Sequence, residues 1–179
     1  MYCIAKLHPN PANAGARNYK GNLFTADEKK RTIREFYTFN EVIPLCIDHC
    51  GAETCGFVVP DQERIGTVQD LFNNERGELM VVLKLDQKHP AFKQINRGLW
   101  MQKQPWGVSV WIDRYQSGRK KLSHVALTTD PHFANYDTFL DKWAVEEWAI
   151  DSEVYRNYYK KGRGQCFAST QFVKKMAGI

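Results

Sequence analysis

No stretch of the chain approaches the roughly 18 consecutive apolar residues that a membrane-spanning helix needs, so an integral helical membrane protein is not expected. The unbroken apolar core of an export signal is missing too, because the first eleven residues carry Lys6, His8, Pro9 and Pro11. A protein that starts in the cytosol is therefore expected, and its thiols should be reduced. Five cysteines are present, an odd number, with Cys46, Cys50 and Cys55 crowded together and Cys3 and Cys166 far from them. In a reducing setting that is not a disulfide framework. Charge of one sign is not in excess: the formal net charge is +5, and the basic residues are scattered apart from short runs at 29–31, 119–121 and 160–161. Such runs read as solvated surface rather than a nucleic-acid track. Internal repeats, low-complexity segments and a regular strand–helix alternation are all lacking, which leaves little ground for a solenoid or a doubly wound parallel sheet.

What remains is a chain of 179 residues, the length of one domain with a real core. Residues 2–7 read as a strand, followed by a Pro/Gly/Asn-rich loop to about Asn22. Thr25-Ala26-Asp27-Glu28 reads as a helix start with acidic residues in its first turn. Residues 41–48 read as a buried strand despite Pro44, and 56–59 and 79–85 as further strands, the last preceded by turn chemistry at 73–77. A helix is expected over 90–102, ending near Gly98, with Ala91, Ile95 and Leu99 on one face. Residues 107–113 and 122–128 form the clearest pair of strands, flanking a loop with Ser117-Gly118 at its middle. From 136 to 161 the pattern is helical, closed by Gly162, and 169–176 reads as a last helix. Strands early and helices late imply an α+β fold, a mostly antiparallel sheet or barrel with helices outside, in one domain over 1–179.

Side chains on a strand repeat every two residues, and this bears on Ser109 and His124. A hairpin centred between Gln116 and Ser117 sets the two opposite each other. One centred on Ser117-Gly118 pairs Ser109 with Ala126 and leaves His124 diagonal. Both put hydroxyl and imidazole on one face, whereas a one-residue slip separates them. His49 ends the apolar segment 41–48 and is the second imidazole of interest.

Three segments resemble the herpesvirus capsid maturation proteases, the assemblins, in the order that family uses. Ile43-Pro44-Leu45-Cys46-Ile47-Asp48-His49 resembles the strand that ends in the base histidine, with Gly56-Phe57-Val58 after it. Gly107-Val108-Ser109-Val110 resembles the nucleophile strand, and Ser123-His124-Val125-Ala126-Leu127 the second histidine strand. Together they span about 43–137. The phage prohead proteases are more distantly similar, and 126–131 has some of their character, but they generally place an acidic residue where this chain has His124.

The resemblance implies a serine endopeptidase with Ser109 as nucleophile, His49 as general base and His124 as third member, needing neither cofactor nor metal. It further implies an antiparallel β-barrel core surrounded by helices, and a homodimer built through helices after about 136. There the stripe Val145, Trp148, Ser152, Tyr155 and Tyr159 offers a surface. The implied substrate is the viral scaffold protein and the enzyme's own precursor, cut at Ala-Ser bonds inside the procapsid in the host nucleus, with no nucleic-acid or membrane partner. Ala168-Ser169 has the right pair of residues. The chain departs from the family at the oxyanion hole: where the family carries Gly-Arg-Arg, Pro131-His132-Phe133 stand here. His132 and Phe133 are the oxyanion candidates by position, the backbone N–H of His132 being the donor.

Three other readings use the same residues. Cys46, His49, Cys50 and Cys55 have zinc-ligand chemistry, but their spacing matches no common structural site and no second cluster exists. Cys50 or Cys55 with His124 would make a cysteine protease and leave the strand around Ser109 unexplained. Trp100, Trp106 and Trp111 among dispersed lysines would suit a nucleic-acid module, although such aromatics also fill a core or line a substrate groove. Asp48 adjoins the base, but as its strand neighbour it is expected to point to the opposite face.

Overall fold

The computed structural model describes residues 2–8, 24–50, 58–100 and 107–128. Six strands form one sheet: β1 (Tyr2–His8), β2 (Pro44–Ile47), β3 (Gly66–Asn73), β4 (Leu79–Leu85), β5 (Gly107–Arg114) and β6 (Lys120–Thr128). Their order is β1-β4-β3-β2-β6-β5. Every neighbouring pair is antiparallel except β2 and β6, which run parallel. Residues of the two outer strands, β1 and β5, come within 8 Å of each other between Cα atoms. The sheet is thus curled into a half-barrel. The fold is α+β, with few helices among the described residues.

The concave side holds the main core, where Leu7, Leu45, Leu71, Val81, Leu83, Val108, Val125 and Leu127 are fully buried. Helix α1 (Ala26–Thr38) covers part of it through Phe36, and starts where Thr25 and Glu28 cap each other. The Thr25 hydroxyl accepts from the Glu28 N–H at 3.2 Å, and a Glu28 carboxylate oxygen accepts from the Thr25 N–H at 2.7 Å. Lys29 lies on the same buried stripe and donates to the Gly77 carbonyl at 2.6 Å. Burial pulls its pKa down to about 8, with Glu78 acting in the opposite sense. Helix α2 (Phe92–Trp100) continues through Gly98 rather than ending there, anchored by Ile95 in the core. No helix among the described residues is long and apolar enough to cross a membrane.

Two strand assignments differ from expectation. Val58 and Val59 lie outside any strand, whereas β3 carries no clear apolar alternation in its sequence and is nonetheless a central strand. A β-bulge between Val68 and Asp70 lets Val68 and Leu71 both face the core and leaves Asp70 buried on the other face, where the Tyr37 hydroxyl donates to it. An acidic residue buried in mid-strand hides the period of two. Close approach of β3 and β4 requires Gly66, since a Cβ there would stand 2.1 Å from the Lys84 carbonyl oxygen. The expected helices at 136–161 and 169–176 lie outside the described residues.

Candidate active site

The site lies on the face of the sheet opposite the main core. On β5, Val108, Val110 and Ile112 pack against that core, so Ser109, Trp111 and Asp113 are left for the other face. The β6 side is less simple. Tyr115 and Arg119 close a three-residue loop by an N–H to carbonyl bond of 2.9 Å, with Gly118 at φ 77°, the left-handed position such a loop demands. Next to it Arg114 pairs with Lys120, Asp113 with Lys121 and Ile112 with Leu122. Continued unbroken, that register would set Ser109 and His124 on opposite faces. It does not continue, because Trp111 pairs with His124 and Ser109 with Ala126. Ser123 is therefore the extra residue of a bulge, and the bulge restores the shared face. Leu122 and Val125 both point into the core as a result, while His124 and Ala126 point away from it. The hairpin is centred on Ser117, half a residue from either expected centre, and the bulge recovers the second expected register at the site.

His49 arrives from β2, which runs alongside β6 with Cys46 opposite Ala126. Past Ile47 the chain turns through Asp48, His49 and Cys50, with φ of 45°, 57° and 56°. Three successive non-glycine residues in the left-handed region cost about 1–2 kcal/mol each, a strain typical of functional turns. The turn swings the imidazole over both β5 and β6. His49 Nε2 lies 3.0 Å from Ser109 Oγ, and His49 Nδ1 lies 2.9 Å from His124 Nε2. Ser109 is buried to 6% exposure and His124 to 1%.

The proton positions follow from the chemistry. For the serine hydroxyl to donate to His49 Nε2, the His49 proton sits on Nδ1 and is donated to His124 Nε2. His124 then carries its own proton on Nδ1, which is buried and has no hydrogen-bond partner among the described residues. Desolvation, with a lesser contribution from the nearby His49, pulls the His124 pKa down to about 4. His124 is thus neutral at neutral pH, as an acceptor for His49 must be. By contrast, His8 and His89 use ring nitrogens to accept backbone N–H groups of Phe24 and Ala91.

The depressed value makes a prediction for stability. The unfolded chain takes up a proton near the ordinary value of 6.5, whereas folded His124 resists protonation until about 4. Stability should hold above pH 6.5 and fall between 6.5 and 4, by on the order of 3 kcal/mol. Chemical denaturation over that window is expected to show the slope, and His124→Phe to reduce it.

Asp48 is not the strand neighbour that was expected. It begins the left-handed turn, and its side chain is exposed. His49 Nδ1 has His124 rather than Asp48 as its partner. Asp48→Asn, which keeps a residue tolerant of positive φ, is accordingly expected to leave peptide-cleavage kcat/KM within about twofold. The metal-ligand arrangement fares no better, since both His49 nitrogens face Ser109 and His124. Among the described residues no group of three or more His, Cys, Asp or Glu is arranged to hold a metal. Cys46 is buried against Val59 and Ala126 with Cys50 packed on them, and Cys55 lies outside the described residues. So do His132, Phe133 and Ala168-Ser169. Neither a protein-family model nor a curated protein matches the chain.

One residue was assigned no part in this constellation. Trp111 stacks on His124 with ring planes 9° apart and centroids 5.6 Å apart, and also lies 5.6 Å from the His49 ring. The available signal was its position two residues after Ser109 on the same strand, hence on the same face.

Proposed function

We propose that the chain is a serine endopeptidase of the assemblin type, acting through an acyl-enzyme. The observation that supports this most is the continuous relay from Ser109 Oγ to His49 to His124, two hydrogen bonds of 3.0 and 2.9 Å. In the proposed reaction Ser109 Oγ attacks the scissile carbonyl carbon as His49 Nε2 removes the hydroxyl proton. The tetrahedral intermediate collapses when His49 passes that proton to the leaving amine, giving an ester on Ser109. Water, deprotonated by the same nitrogen, then releases the acid and the free serine.

His124 orients His49 and fixes its tautomer, but it brings no negative charge to the imidazolium. A base of this kind is weaker than one backed by a carboxylate, and the enzyme slower. Slow turnover suits a protease that acts on a concentrated scaffold within a closed shell. We extend the proposal to that substrate, the viral capsid scaffold and the enzyme's own precursor cut at Ala-Ser bonds in the host nucleus, and to a homodimeric enzyme. The resemblance of 43–49, 107–110 and 123–127 to the assemblins supports this extension.

The test is cleavage of peptides with and without a central Ala-Ser bond. His124→Ala is expected to lower kcat by about 10- to 100-fold, an orienting group being less costly to lose than nucleophile or base. A His124→Ala enzyme as inactive as one lacking Ser109 would contradict the auxiliary role. Failure of the purified protein to cut any such peptide would reject the assignment as a whole.

A further inference from the structure

Resting on the protease assignment, we propose that Trp111 is a positioning residue of the catalytic relay, holding His124 in line with His49 and offering its π face to the His49 imidazolium. Four observations meet at this side chain. Its cross-strand partner is His124, opposite which it sits because of the Ser123 bulge. The two rings lie almost parallel, so the indole restricts rotation of an imidazole whose Nδ1 has no hydrogen-bond partner among the described residues. The His49 ring, tilted 57° to the indole, stands 5.6 Å away, within the distance at which a cation is attracted to an aromatic face. Finally, the indole N–H donates to an Asp113 carboxylate oxygen at 3.1 Å, which fixes the ring from behind.

The arrangement answers the deficiency of a neutral third member. Where a carboxylate would both orient the base and stabilise its charge, here the tasks are divided. His124 accepts the Nδ1 proton, and Trp111 fixes His124 and supplies a negative electrostatic surface. A carboxylate does stand behind the relay, but it is Asp113, and it touches the indole rather than an imidazole. Among the described residues, the other titratable groups beside His49 in the chain and on β2 are Asp48 and Cys50 on its own turn and Cys46 on β2, the first of them exposed. None of these takes the place of the indole against both rings.

The test separates this role from simple packing. Trp111→Leu keeps an apolar side chain without π electrons, and Trp111→Phe keeps a ring. The Leu variant is expected to lose about tenfold in kcat with KM little changed, and the acid limb of its kcat/KM profile should move down by about 0.5–1 pH unit. That sign follows because loss of a group that favours the imidazolium makes His49 harder to protonate. Phe should retain kcat within about threefold and leave the limb in place. A Leu variant with unshifted limb and unchanged kcat, or a Phe variant that falls as far as Leu, would overturn the proposal.

A second measurement does not depend on catalysis. In Ser109→Ala protein, indole emission should be quenched as His49 protonates, and the quenching should vanish in both the Trp111→Phe and His49→Asn backgrounds. A pH-independent Trp111 contribution would overturn the contact even if peptide cleavage is found. Absence of cleavage with the titration intact would instead reject the protease and leave the stacked relay standing.

Discussion

Ser109→Ala is expected to abolish peptide hydrolysis almost completely, with kcat down by at least about 10³-fold. The reason is local. Ser109 Oγ, the proposed nucleophile, lies 3.0 Å from His49 Nε2. The neighbouring thiols do not replace it: Cys46 is fully buried, and Cys50 packs against it in the small cluster with Val59 and Ala126. Folding should be little affected. Residue 109 sits inside β5 at 6% exposure, opposite Ala126, and alanine removes only the hydroxyl from that position. A variant that unfolds several degrees lower would point to a structural serine, whereas an unchanged melting temperature with lost turnover identifies the chemistry.

His49 should be as costly to replace. His49→Ala is expected to reduce kcat by about 10³-fold or more, since no other described nitrogen is within hydrogen-bond distance of the serine hydroxyl. His124 does not substitute, as its Nε2 faces His49 Nδ1 and its Nδ1 is buried. The left-handed turn complicates the alanine variant, so His49→Asn is the companion, asparagine being better tolerated at positive φ. Both variants should lose catalysis alike. If one of them kept more than about a tenth of wild-type kcat, His49 would not be the base. Addition of exogenous imidazole is expected to restore part of the rate to His49→Ala and none to Ser109→Ala.

How much of this could be read from the sequence differs from one residue to the next. Ser109 and His124 were brought to a common face by counting in twos, and they do share one. Yet the count succeeded through a compensation. The loop is centred on Ser117, which alone would have parted them, and the Ser123 bulge shifts the strand by one residue. A bulge has no reliable local signature, because it is selected by core packing on both sides of it, here Leu122 and Val125. His49 was legible as the end of an apolar segment, but its backbone was not. The segment stops at Ile47, and three residues then enter a left-handed conformation that their side-chain types do not announce. β3 was hidden by Asp70, a buried carboxylate whose Tyr37 partner lies far away in the sequence. α1, in contrast, was announced by Thr25 and Glu28, because a capping box is a contact between residues three apart.

In the proposed enzyme a strained turn holds a weakly supported base. The left-handed turn places His49, and the buried neutral His124 holds it in the tautomer that leaves Nε2 free to accept the serine proton. The missing negative charge limits how far the imidazolium is stabilised.

The most direct test of the central claim is intact-mass analysis after exposure of the folded protein to a fluorophosphonate, which phosphonylates only serines activated by a neighbouring base. A single adduct mapping to Ser109, absent from both Ser109→Ala and His49→Ala, is the predicted result. An unlabelled wild-type protein, or an adduct that persists in Ser109→Ala, would contradict it.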